Sequence, residues 1–373
     1  MLAIGLMSGT SLDGVDACLV KIKMGKFSLV NFITYPYPDE FKKKIMRNLS
    51  DESAKLSEIS ELNFELAYYF KDAIDALLEK ANMAKMYNKI SFVASHGQTI
   101  WHAPKEKVAN TLQIGEAAVI NYLTGIKVIS NFRTKDICAK GQGAPLIPFS
   151  EYYLYRSRKE NRVFQNIGGI SNLTYIKKCA KRDDVISFDN GVGNIMIDYF
   201  TRKYFDLAFD KDGKIAQEGK VIEEVLDFLK QDEYIYLPYP KSTGREKYSK
   251  EYMEKIAKDL DFEKYDKKDI ITTITEFTAF SIAYSYKTFL KDVDLVIVSG
   301  GGCHNKYLMR RIEEISGMKA ITGEDFGIDP DAKEALGFAV LGYMTLKKRP
   351  SNIKSATGAV KDVVLGDVTY EKR

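Results

Sequence analysis

The decapeptide MSGTSLDGVD, residues 7–16, collects the residue types that bring hydrogen-bond donors close to an anion. Gly9 and Gly14 carry no side chain to hold a ligand away from the backbone N–H groups, and Ser8, Thr10 and Ser11 add hydroxyls. Gly168-Gly169, with Ser171 close behind, and the run Gly300-Gly301-Gly302 offer the same chemistry. Each group taken singly is equally an ordinary turn in which glycine supplies a positive φ. Three of them, two in corresponding positions of two halves, point to a nucleotide held by its phosphates. The sequence has no G-x-x-x-x-G-K-[ST] motif, so this is not a P-loop, and the small-residue turns lie between strands, unlike a dinucleotide-binding turn. Asp13 and Asp16 would repel phosphate unless a cation stood between them. Mg²⁺ suits that place because it prefers carboxylate and phosphate oxygens. Asp13, in the turn, is the candidate ligand, with an Asx-turn as the alternative role.

The elements that must hold these turns follow from periodicity. Strands are expected at Leu2 to Met7, Val15 to Ile22 and Phe27 to Tyr35, joined as an antiparallel meander with a Gly25-Lys26 turn. Helical spacing follows at Glu40 to Leu49 and Leu56 to Ala84, then a buried strand from Ile90 to Ala94 that ends at SHGQT. A helix from Glu116 to Leu123 and a strand from Ile126 to Ser130 complete the first half. Strands at Val163 to Ile167, Ile170 to Ile176 and Val185 to Phe188 repeat the opening pattern, and Asp189 is expected to end the third. A helix at Asn194 to Phe205, a strand at Leu295 to Ser299, a helix at Ala332 to Leu346 and a loop-rich tail follow. IGLMSGTSLDGVDACLV and FQNIGGISNLTYI share the form strand, small turn, strand, a weak internal repeat. The expected fold is α/β, built from two similar domains. The first comprises residues 1–132 with the tail 350–373, and the second comprises 133–349.

Composition narrows the classes. The chain has 373 residues, of which 45% are hydrophobic and 28% charged, as in a globular protein. Its 55 basic residues nearly cancel 51 acidic ones, so nucleic acid and anionic membrane are not expected partners. Without a signal-like N-terminus or an apolar run of membrane-spanning length, a cytoplasmic location is expected. Four scattered cysteines and three histidines form neither a disulfide framework nor a zinc signature.

GLMSGTSLDGVD (5–16), SHGQT (95–99), GQGAPLIP (141–148), NIGGISNLT (166–174), FDNGVGN (188–194), PKSTGRE (240–246), SGGGCHN (299–305), DAKEALGFA (331–339) and SNIKSATGA (351–359) together resemble the ordered motif set of the anhydro-N-acetylmuramic acid kinases. The resemblance implies an actin-like ATPase fold of the sugar-kinase type, with two domains around a nucleotide cleft. It implies that 1,6-anhydro-N-acetylmuramic acid, ATP and water give N-acetylmuramic acid 6-phosphate and ADP, in bacterial cell-wall recycling. A homodimer is implied as well. Two rival activities stay open: another amino-sugar kinase on the same fold, and an actin-like nucleotide-gated switch.

Roles follow from the resemblance. Asp189 matches the aspartate that activates water, although as a residue it could equally cap the helix from Asn194. Glu334 resembles an active-site glutamate, against the alternative of a solvated helix face. Gly9, Thr10, Ser11, Leu12, Asp13, Gly14, Val15 and Asp16 would hold the phosphates with Mg²⁺; Gly168 and Gly169 would bind from the second domain, and Gly300, Gly301 and Gly302 would face the nucleoside. Arg133 is the expected partner of the sugar's lactyl carboxylate, with His96, Gln98, Thr99, Gln142 and Gly143 also at the substrate. Lys241 to Glu246 is assigned no catalytic role. The chain departs from the family pattern at Asn190 and Val192, where threonine and proline are usual beside the proposed base, and at Asn131, where aspartate is common.

Overall fold

Leu2–Ser8 forms strand β1, and its residues Ala3 to Leu6 are all buried, as a nearly unbroken apolar run demands when both faces of a sheet are covered. β2 (Gly14–Lys23) and β3 (Lys26–Pro36) continue it as an antiparallel meander, as the periodicity predicts. In a computed structural model of the chain, residues 1–9, 12–244 and 246–370 are described. They divide into two compact units, Met1–Tyr155 with Asp331–Arg373, and Arg156–Pro330.

The first unit adds α1 (Asp39–Arg47), α2 (Leu56–Lys80), β4 (Ile90–Ala103), β5 (Asn110–Ile114), α3 (Ala117–Thr124), β6 (Val128–Ser130), α4 (Thr134–Cys138) and α5 (Ile147–Tyr155). Its sheet runs from β12 (Asp367–Thr369) through β6, β4, β1 and β2 to β3, with β5 on β4; β4 lies parallel to both β1 and β6. α2 buries Leu62, Leu66, Phe70, Ile74 and Leu77 against Ile4, Leu6, Val15 and Leu19 in one core. The second unit holds β7 (Arg162–Ile167), β8 (Ile170–Ile176), β9 (Ile186–Val192), α6 (Ile195–Phe205), α7 (Lys214–Glu218), α8 (Glu223–Leu229), α9 (Lys250–Asp259), α10 (Lys267–Phe289), β10 (Leu295–Ser299), α11 (Lys306–Ser316), β11 (Ala320–Thr322) and α12 (Gly323–Phe326). Its sheet runs β11-β10-β7-β8-β9. β7, β8 and β9 form an antiparallel meander, while β10 lies parallel to β7 and to β11. The first unit's β6-β4-β1-β2-β3 has the same order and directions, so the weak repeat of the sequence is a repeat of topology.

The structure corrects three expectations. β4 does not end at SHGQT but runs through it to Ala103, because β5 supplies a partner beyond Gln98. Asp189 lies inside β9, paired in register with Asn172, and not at the strand's end. Residues 133–155 and 331–349 fold with the first unit: Ser150 of α5 donates to the Gly337 carbonyl of α13 (Lys333–Leu346), and α13 lies against β1. In the tail, α14 (Lys354–Thr357) and β12 (Asp367–Thr369) are ordered, and β12 closes the sheet against β6.

Candidate active site

In the first unit the turn after β1 is propped from below. Ser8 Oγ donates to Gln98 Oε1 at 2.6 Å and shares a 2.8 Å hydrogen bond with the Tyr37 hydroxyl, all three residues being buried. Gln98 is therefore committed to the protein beneath the turn. Gly9 is half-buried, Leu12 is buried, and Asp13 is exposed with the Tyr37 N–H on its carbonyl at 3.2 Å. Thr10 and Ser11 lie outside the described residues. Gly14 and Val15 open β2 and are buried, and Asp16 stands half-buried on the same strand. Burial raises the Asp16 pKa, a 2.6 Å hydrogen bond from Thr34 lowers it, and Asp331 and Asp13 raise it further. Among the described residues no three His, Cys, Asp or Glu side chains are grouped so as to hold a metal ion.

Arg133, His96 and Gly143 form one unit of hydrogen bonds. Arg133 Nε donates to His96 Nε2 at 3.0 Å, and its Nη1 donates to the Gly143 carbonyl at 2.8 Å. A guanidinium can only donate, so His96 carries its proton on Nδ1, which donates to the Gly97 carbonyl at 2.8 Å. Burial, then the Arg133 charge, hold the His96 pKa well below its usual range, so the ring is neutral at physiological pH. Burial lowers the Arg133 pKa to about 10 and Glu334 pushes it back up, which leaves the guanidinium protonated. Its Nη2 has no protein partner among the described residues. Glu334, in the first turn of α13, is exposed; nearby protein raises its pKa, Lys333 lowers it, Asp16 raises it and Arg133 lowers it. Gly143 is fixed by its N–H on buried Asp136 Oδ2 at 2.8 Å, and the neighbouring Gln142 N–H donates to the Thr357 carbonyl at 2.8 Å. Asp136 Oδ1 accepts from Asn352 and Thr357, which explains the SNIKSATGA motif as a brace for this loop. Thr99 is half-buried, and its Oγ1 accepts from Gln113.

The second unit brings the other glycine groups together at the ends of β7 and β10. Gly168 O accepts from Asn194 N at 2.8 Å, and Gly169 O accepts from Gly193 N and Ile195 N, which fastens the β7–β8 turn to the start of α6. Gly300 and Gly302 pack against Asn166 and Ile167. Gly168, Gly169 and Gly301 differ: a Cβ there would come no closer than 3.6, 3.8 and 3.7 Å to its neighbours, and none has a positive φ. Neither backbone conformation nor internal packing requires glycine at those three positions. That leaves a cradle suited to the close approach of a nucleotide. Asn166 and Asn194, which fasten this corner, were not singled out in the sequence; the strand-turn-helix spacing around Gly193 is the signal that marks them.

Asp189 stands elsewhere in the same unit. Its Oδ2 accepts the Thr243 N–H at 3.0 Å, and no protein group bonds Oδ1 among the described residues. Burial raises its pKa to about 6; the Thr243 hydrogen bond lowers it, Glu246 raises it and Lys241 lowers it. The helix that follows begins with Asn194 as its N-cap residue, so Asp189 does not cap it. Asn190 turns its side chain into a buried chain with Gln165 and Tyr286, and Val192 is buried in the core of the unit. Both departures from the usual family pattern therefore sit in a packed strand and not in an open turn.

Two α/β units of one strand order, each with small-residue turns at its strand ends, define the actin-like class of ATPase folds. A family model described as anhydro-N-acetylmuramic acid kinase matches residues 1–371, and the chain belongs to that family. The anhydro-N-acetylmuramic acid kinase of Bacillus cereus (strain Q1) is 44% identical over 381 residues, covering 98% of each chain. That of Bacillus thuringiensis subsp. konkukian (strain 97-27) is 42% identical over 385 residues, covering 99% of each. Among solved structures, the activator of the 2-hydroxyisocaproyl-CoA dehydratase from Clostridium difficile with bound ADPNP aligns over 93% of this chain and 96% of its own, at 13% identity and a TM-score of 0.47. The ROK family glucokinase from Streptomyces griseus with glucose and AMPPNP aligns over 91% and 99%, at 12% identity and a TM-score of 0.37.

Proposed function

We propose that the chain is an ATP-dependent kinase that opens the 1,6-anhydro bond of 1,6-anhydro-N-acetylmuramic acid with water and phosphorylates the freed O6, in the cytoplasm, during cell-wall recycling. The observation that carries this reading is the state of Asp189: a carboxylate with one oxygen fixed by a backbone N–H, the other without a protein partner among the described residues, and a pKa of about 6. Such a group is mostly ionised at neutral pH yet basic enough to take a proton from water.

In this reading Asp189 Oδ1 accepts the proton as the water oxygen bonds to C1. The C1–O6 bond breaks, the O6 electron pair attacks the γ-phosphorus, and ADP leaves with the electrons of the bridging bond. Arg133 has its Nε and one Nη1 hydrogen committed, and the remaining N–H groups offer a two-point grip on the lactyl carboxylate. Asp13 would hold Mg²⁺, which when bound neutralises charge on the transferring phosphate. Gly9 to Asp16 bind the phosphates, and Gly168, Gly169 and Gly300 to Gly302 bind the nucleotide. Glu334 completes the acidic side of the first unit's site. Gln98, held under the Ser8 turn, serves as a support and not as a substrate contact. A homodimer, which the family resemblance implies, is part of the same proposal.

The test is turnover in ¹⁸O-labelled water with Mg²⁺-ATP and the anhydro sugar. A phosphosugar carrying one label at the anomeric carbon is expected, with Asp189→Asn reducing its formation by at least 10³-fold, a loss of the order seen when a general base and its water are both misaligned. Unlabelled product, or ADP release only with an ordinary hexosamine, would assign the fold to another amino-sugar kinase. ADP release indifferent to any sugar would assign it to a nucleotide-gated switch.

A further inference from the structure

The described residues of the motif PKSTGRE form no helix or strand, yet two of them are hydrogen-bonded to Asp189. Asp189 N donates to the Lys241 carbonyl at 3.2 Å, Thr243 N donates to Asp189 Oδ2 at 3.0 Å, and the Tyr234 hydroxyl donates to the Asp189 carbonyl at 3.0 Å. The ring of bonds is closed by Lys241, whose Nζ donates to the carbonyls of Tyr234 at 3.0 Å and Ile235 at 2.8 Å. The same ammonium lies 4.9 Å from the Tyr234 ring centre, 5.1 Å from that of Phe289 and 5.6 Å from that of Phe188. Among the described residues no carboxylate is within ion-pair distance of it. Its close contacts are with carbonyls and aromatic faces, which fix direction as well as depth.

An irregular loop held to a strand by one peptide hydrogen bond and one to a carboxylate is a weak clamp, because ordering several residues costs more than such bonds return. A half-buried cation bonded to two carbonyls and walled by three rings supplies the missing rigidity. We propose that Lys241 is a positioning residue for Asp189: its ammonium locks the 241–243 segment so that the Thr243 N–H holds Oδ2 and Oδ1 alone is presented to water. This rests on Asp189 being the base. The charged and titratable groups around the carboxylate are Lys241, Glu246 and Tyr234, with Asp232 beyond the ammonium; Asn172 across the strand pair is neutral, and Arg245 lies outside the described residues.

The experiment measures kcat, both KM values, the acid limb of kcat and the melting temperature for the full chain and for Lys241→Met, Lys241→Arg and Thr243→Pro. Lys241→Met is expected to lower kcat about 10- to 100-fold with both KM values within about threefold, the signature of a misaimed group and not of lost substrate binding. Its acid limb should move to higher pH, because a neighbouring positive charge that favours the carboxylate is gone. Lys241→Arg should keep the acid limb near the parent position while recovering only part of kcat, since the planar fork cannot take the place of the compact ammonium between two carbonyls. If Lys241→Met keeps kcat within about twofold and the limb does not move, or if kcat falls only in step with the melting temperature, the proposal is wrong. Should Lys241→Met fail to fold, Thr243→Pro decides: it removes the N–H donor, along with the hydroxyl and the freedom of φ, so unchanged kcat and acid limb would overturn the clamp. Asp189→Asn separates the two readings. Turnover surviving in that variant removes the base itself, whereas a dead Asp189→Asn beside a normal Lys241→Met removes only the role of Lys241.

Discussion

Proton inventory in this protein depends on which buried groups can change charge near neutrality. His96 cannot, because Arg133 occupies its Nε2 and burial holds its pKa far down. Asp189 can: with a pKa raised to about 6, it is protonated below that pH and cannot accept a proton from water. The kcat of the full chain should therefore fall as pH drops through about 6, tenfold per unit below it, and a profile flat to pH 5 would remove Asp189 as the titrating base. Asp198 of α6, also raised to about 6 by burial, is the one other aspartate for which so high a value is found, so the limb should vanish from residual activity in Asp189→Asn but persist in Asp198→Asn. Arg133→Lys keeps a charge but loses the fork that spans His96 and Gly143. The expected result is a rise in KM for the sugar of about 10- to 100-fold with KM for ATP nearly unchanged, measured by initial rates.

Elements hold these residues through close approaches that allow no substitution on one side and free substitution on another. A Cβ on Gly5 of β1 would lie 1.9 Å from the Ala335 carbonyl of α13, and a backbone atom cannot swing away. Gly5→Ala must push α13, and with it Glu334, off the sheet; a loss of about 3 kcal/mol of stability is expected in denaturant titrations, with activity falling further than stability alone explains. Gly301 is the opposite case, since its nearest neighbour to a Cβ is Asn194 Nδ2 at 3.7 Å. Gly301→Val should melt at nearly the parent temperature without nucleotide, but lose most of the upward shift that saturating Mg²⁺-ADP gives the parent chain. Equal shifts in both would show that the glycine cradle does not receive the nucleotide.

The whole molecule repeats one topology in two units, and each carries a different share of the candidate chemistry: Asp16, Arg133 and Glu334 in the first, Asp189 and the Gly168 and Gly300 turns in the second. No helix among the described residues is long and apolar enough to cross a membrane. At this scale the measurable expectation is assembly: sedimentation should return about twice the 42.3 kDa of one chain, and a monomer at micromolar concentration would count against the homodimer. The order of strands was legible in the sequence because apolar runs and small-residue turns are local signals, and β1, β2, β3, β7, β8 and β10 all fall within a residue or two of their expected places. The short strands β5, β11 and β12 were not, since three to five residues at a sheet edge gain their stability from a distant partner and carry little pattern of their own.

The sequence by itself determined the family, the paired α/β pattern and the residue types at the glycine turns, Arg133 and Asp189, because these are properties of contiguous motifs. Only the tertiary structure decided what each residue is free to do. Gln98 and Asp189 look alike as polar residues within two positions of a glycine, but one is buried under Ser8 and the other keeps an oxygen unbonded among the described residues. PKSTGRE reads as a solvated, charged loop until its Lys241 carbonyl and Thr243 N–H are found on a strand some fifty residues earlier in the chain. Hydrogen-bond partners, burial and the pKa values they set arise from groups far apart in sequence, and no local pattern encodes them.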